Sequence, residues 1–196
     1  MFSLRYVEGE LLHYTRDDSV FRRRRHAIGV VLSGDLEGAR VVDHGMPWQR
    51  LILALGVVVA ASRWLAEHLG DRSLVVQLGF PPGALAEERE IAALLLEGEI
   101  ARGIVAIVAQ PPAETVVWIA AASGNAIADL VVISLSDGPA LPNGVRALHV
   151  DLAAPLPVIR ELAPRPAAHI DASIDRRQDP WIAWRDAAED VLRWLM

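Results

Sequence analysis

Two stretches of this chain lack the alternation that a half-wetted strand requires. Ser73 to Phe80 reads SLVVQLGF and Asp129 to Leu135 reads DLVVISL, nearly continuous in apolar residues. Successive side chains of a strand point to opposite faces, so runs of this kind need cover on both sides. Thr115 to Ala121 (TVVWIAA) reads the same way, and together with Asp129 to Leu135 it is the expected centre of a sheet. With 196 residues the chain is long enough for one such sheet and its flanking helices.

The helical segments follow from their punctuation. Pro47 suits the first turn of a helix and Gly70 its stop, which predicts a helix from about Trp48 to Leu69. Pro81-Pro82-Gly83 ends the first strand, and Ala84 to Glu97 reads as a helix with Glu87, Glu88, Arg89 and Glu90 on its polar face. Gly103 to Ala109 is read as a strand, Arg146 to Leu152 as another, Pro155 to Leu162 as a short helix and Ala168 to Ile174 as a last strand. Asp179 and Pro180 open a terminal helix whose stripe runs through Trp181, Trp184, Ala188, Val191 and Leu195.

Residues 1 to about 45 read differently. Glu8-Gly9 separates two β-rich runs, and Ser33 to Gly38 separates Ala27–Leu32 from Ala39–Val42, as in hairpins. The expected fold is therefore a single three-layer, Rossmann-like α/β domain over residues 1–196, with a mixed or mostly parallel sheet. An antiparallel β-meander over 1–45 precedes an α/β body over 46–196.

Missing residue types exclude whole chemistries. All 19 basic residues are arginine, so neither a Walker lysine nor a lysine Schiff base is available. With no cysteine there is no thiol nucleophile, disulfide or Cys-ligated metal. A net charge of −6 disfavours nucleic acid and anionic membrane except locally. The apolar run Leu51 to Ala61 falls short of the roughly 20 residues that span a bilayer. The N-terminus lacks a secretory pattern, so cytoplasm is expected. No cofactor and no membrane partner are expected.

Several residues are candidates for a site. Arg22, Arg23, Arg24 and Arg25 match phosphate or an acidic partner, although in a strand about two share a face and the plainer reading is a charged edge. Ser33-Gly34-Asp35 is either a crevice after a strand or a turn. Asp43-His44 sets a carboxylate beside an imidazole, but neighbours in an extended segment point apart. His13, His26, His68, His149 and His169 lack metal-ligand spacing, and no metal is expected.

The expected pocket joins Ser123, Gly124 and Asn125 to Ser134, Ser136, Asp137 and Gly138, two loops at the carboxyl ends of what are read as neighbouring parallel strands. Plain turn-rich loops are the other reading. Six tryptophans stand against three Phe and two Tyr. Trp181, Trp184 and Trp194 on the terminal helix are the expected interface, with Trp194 off the main stripe.

The segment ADLVVISLSDG resembles the strand and loop of nucleoside deoxyribosyltransferases, in which an aspartate and glycine approach the sugar. The acidic nucleophile that this resemblance implies is missing, since Gly144, Val145 and Arg146 follow Pro142-Asn143. The chain is also similar to Rossmann-like sensor domains for cyclic oligonucleotides, with Trp118 as the neighbouring aromatic.

Arginine clusters and surplus tryptophan suit contacts better than chemistry. The first expectation is a non-catalytic ligand-binding or assembly module that works with a second copy or a partner protein and senses a nucleotide-like small molecule. The second is a hydrolase or glycosyl-transfer enzyme acting on a nucleoside-like substrate through Asp137, Ser136 or His44. The third is local nucleic-acid binding through Arg22 to Arg25, with affinity falling steeply in salt.

Overall fold

The computed structural model describes residues 26–44, 46–69, 74–122, 128–136, 146–162 and 180–195. Six strands form one sheet: β1 (His26–Leu32), β2 (Leu74–Phe80), β3 (Val105–Ala109), β4 (Ala128–Ser134), β5 (Arg146–Asp151) and β6 (Val158–Leu162). Their order is β3-β2-β1-β4-β5-β6; only the β5–β6 pair is antiparallel. Five helices accompany them: α1 (Arg50–Leu69), α2 (Ala86–Leu95), α3 (Glu97–Ala101), α4 (Pro112–Ala122) and α5 (Pro180–Leu195). The three-layer, mostly parallel architecture expected from the buried strand runs is the one observed.

The strand period sorts the core into two layers. Ile28, Val30 and Leu32 of β1, with Val76, Leu78, Val131, Ile133, Leu148 and Val150, point toward α1, α2 and α5. Val31, Leu130, Val132 and Ala147 point the other way and pack with Trp118 of α4. The α1 side chains that meet the sheet side include Leu51, Leu55, Val58 and Leu65, all buried, and each contributes roughly 1.5–3 kcal/mol. Helices between β1 and β3 cover one face and α4 covers the other, so the chain reverses its winding between β1 and β4. That reversal is the topological switch point of the sheet.

Three expectations are corrected. The stretch Thr115 to Ala121 is helix α4, not a central strand. Pro112 at its first position and Glu114 in its first turn set a helix start that the β-branched residues masked. Pro155 to Leu162 is not a helix: Val158–Leu162 adds an antiparallel edge strand to β5. The segment after β1 is not the return arm of a hairpin. Gly34–Ala39 coils into a 3-10 turn with Leu36 and Ala39 buried, Val42 makes a single bridge to Gln49, and β1 lies parallel between β2 and β4. The expected hairpin at Leu4 to Tyr14 and strand at Ala168 to Ile174 lie outside the described residues.

α4 reaches its layer by a close approach. A Cβ on Gly79 would stand 2.3 Å from Thr115 Oγ1, so only glycine lets the helix sit this near β2. Thr115 is fully buried and accepts a hydrogen bond from Gln110 Nε2 at 2.8 Å.

Candidate functional site

The carboxyl edge of the sheet at the switch point gathers polar groups from β1 and β4. The Asp35 carboxylate, on the turn after β1, accepts hydrogen bonds through Oδ2 from the Leu135 N–H at 3.2 Å and the Ser136 hydroxyl at 2.6 Å. Its Oδ1 is buried and makes no hydrogen bond among the described residues. Beside it, Ser134 is buried, donates to the Ser136 carbonyl at 2.5 Å and lies 2.8 Å from His149 Nε2. Which of the two donates follows the tautomer of the imidazole.

Of the expected catalytic candidates, Ser136 and His44 make no hydrogen bond to each other among the described residues. Ser136 donates to Asp35, and Asp43 faces Arg50 across 3.0 Å instead of orienting His44. His44 is exposed. Asp137 and Gly138 lie outside the described residues. Among the described residues no group of three or more His, Asp or Glu could hold a metal ion.

Of the expected pocket, Ser134 closes β4 at its carboxyl end and Ser136 follows it. Ser123, Gly124 and Asn125 themselves lie outside the described residues, as do Arg22, Arg23, Arg24 and Arg25.

Sequence reasoning missed a charge network at the amino edge. Asp129 in β4 is fully buried, accepting from His26 Nε2 and Arg146 Nε, both at 2.6 Å. Arg146 also donates to the Trp194 carbonyl at 2.6 Å, and its guanidinium lies 4.4 Å from the centre of the Trp194 ring. Trp194 Nε1 in turn approaches Glu161 at 3.4 Å. Trp194 is thus half-buried by its own chain, and Trp184 is a core residue at 5% exposure. Of the three expected interface tryptophans only Trp181 is exposed, at 45%. The available signal was the acid itself: a carboxylate heading a buried strand requires partners.

A second clamp fixes α2. Arg40 forms a bidentate pair with Glu88 at 2.9 Å for both bonds. Burial would push the Glu88 carboxyl up, but the Arg40 hydrogen bond, a backbone hydrogen bond and the guanidinium charge together hold it below the ordinary glutamate range. The Arg40 guanidinium is raised in return, first by that hydrogen bond and then by the Glu88 charge.

A concavity lies elsewhere, between the outer faces of α1 and α5. It has a volume of about 500 Å³ and is lined by Trp48, Leu53, Gly56, Val57, Trp181 and Leu192 among others. Trp48 on its lip is 56% exposed, and a Cβ on Gly56 would meet nothing within 4 Å. α1 is long and apolar enough to cross a membrane by length and composition, and half of its most apolar window is buried inside the fold. Its remaining apolar surface forms the groove wall.

No curated protein and no solved structure matches the chain significantly. A family model does match, described as the vWA domain found in the FtsH ternary systems, over residues 1–180. It corresponds to neither kind of domain that ADLVVISLSDG resembles. Its match covers most of the chain, including all six strands and helices α1 to α4, and so the chain belongs to the family of vWA domains found in the FtsH ternary systems.

Proposed function

We propose that this domain is a non-catalytic, cytoplasmic protein-interaction module that docks a partner protein through the groove between α1 and α5, within an assembly of the kind its family description names. The supporting observation is the groove itself. An apolar concavity of about 500 Å³ with tryptophans at its lip has the composition of an interface centre.

The test is co-expression of the full chain with the FtsH component of the same system, followed by size-exclusion chromatography. Gly56→Leu fills the groove from a position where the added atoms meet open space, and Trp48→Ala removes an exposed wall. Co-elution of the wild type and its loss in both folded variants is the expected result. Retention of the complex by both variants would remove the groove from the proposal. If the wild type alone runs as a dimer and Gly56→Leu runs as a monomer, a second copy is the occupant.

A second reading is favoured by Asp35. A buried carboxylate oxygen at the switch point, with no donor among the described residues, suits the hydroxyl of a nucleoside-like small molecule and repels a phosphate. Thermal shifts with nucleosides and nucleotides, against wild type and Asp35→Ala, test it. No shift in the wild type, or an equal shift in the variant, sinks this reading.

A further inference from the structure

Helix α2 carries apolar residues on the side where a surface helix is expected to be polar. Its inner side is formed by Leu85, Glu88, Ala92 and Leu96, all buried, with the one charge among them paired to Arg40. Its outer side presents Glu87, Glu90, Ile91 and Leu94, spaced i, i+3, i+4 and i+7. Leu94 is 73% exposed, Ile91 44% and the adjoining Leu95 42%. A single exposed leucine is ordinary, but three large aliphatic side chains together on one short helix form a contact surface.

Charge frames this stripe. Glu87 and Glu90 stand at one end, Glu97 and Glu99 at the other, and none of the four is in an ion pair among the described residues. The neighbouring cations are Arg40, which pairs with Glu88 and acts on Glu87, Arg89, Arg63, which donates to the Leu95 carbonyl, and Arg102 beyond α3. Acid outweighs base: Ala86 to Ala101 holds five glutamates and one arginine. The helix is also held firmly. Leu85 before it adopts φ 55° with its side chain 1% exposed, a left-handed backbone that only firm burial sustains in leucine, and the Arg40–Glu88 clamp follows one turn later.

We propose that the outer face of α2 and α3 docks a basic amphipathic helix of another protein. The partner's apolar residues would seat on Ile91, Leu94 and Leu95, and its arginines or lysines would meet the four framing glutamates. An acidic helix of the same apolar pattern is rejected by like charge. This surface lies on a different helix from the α1–α5 groove and has an acidic frame, so it stands or falls separately from the groove reading.

The experiment is fluorescence anisotropy of a labelled synthetic amphipathic peptide, leucines at helical spacing flanked by arginines, titrated with the full chain. A matching peptide carries glutamate in place of each arginine. Binding of the arginine peptide should weaken with salt, fall roughly tenfold in Leu94→Ser and severalfold in the double variant Glu87→Gln with Glu90→Gln, and be unchanged in Trp48→Ala. All four substituted residues are exposed, and circular dichroism verifies that the variants are folded. Equal binding of the glutamate peptide, undiminished binding by Leu94→Ser, or loss of binding in Trp48→Ala would each overturn the proposal. So would a wild-type dimer that Leu94→Ser converts to a monomer, because a second copy would then occupy the face.

Discussion

The guanidinium of Arg146 stacks 4.4 Å from the Trp194 ring centre while hydrogen-bonding the same residue's carbonyl at 2.6 Å. One side chain thereby joins the start of β5 to the end of the terminal helix, and its Nε holds the buried Asp129. Arg146→Gln leaves that carboxylate with His26 as its remaining side-chain partner among the described residues. Because Arg146 is itself half-exposed, the expected loss is about 2 kcal/mol, less than for a fully buried pair. Urea denaturation measures it, and Asp129→Asn in the same chain should recover part of the loss.

Gly79→Ala should destabilise the fold by about 1–3 kcal/mol, because the new methyl group meets Thr115 Oγ1. Combined with Thr115→Ala the cost should be smaller than the sum of the two single changes. A double-mutant cycle by thermal or urea unfolding reads that coupling, and strict additivity would count against the contact.

The Arg40–Glu88 pair gives stability a sign in acid. Glu88 has a lower pKa folded than unfolded, so its contribution is fully present above the ordinary glutamate range and is lost as pH falls through the lowered folded value. Wild type should exceed Glu88→Gln in stability at neutral pH. The gap should close as the pH is taken below that range, which urea midpoints across an acid series will report.

Gly56 lies inside α1 with open space where its Cβ would be. Gly56→Ala should therefore raise stability by about 0.5–1 kcal/mol, since glycine loses more backbone freedom than alanine on entering a helix. A lowered melting temperature would show that the position needs glycine for packing.

One layer of the fold was hidden from the sequence for one local reason. In TVVWIAA the β-branched residues imitate a buried strand, and only Pro112, Glu114 and the alanines argue for a helix. Reading it as a strand set it in the centre of the sheet, whereas it is a helix that packs on the sheet's face through Trp118. The terminal helix was legible because its cap, its proline and its stripe agree, whereas the burial of Trp194 depended on Arg146, far away in sequence.

The sequence by itself determined the layered α/β class, most strand and helix positions and the chemistries ruled out by absent lysine and cysteine. Each follows from local period, punctuation or composition. The tertiary structure alone decided the strand order, the partners of Asp129, Asp35 and Glu88, and which apolar side chains remain outside. Those are properties of residues distant in sequence that meet only when the sheet is assembled, so no local pattern encodes them. The groove between α1 and α5 and the acid-framed stripe on α2 belong to this second kind.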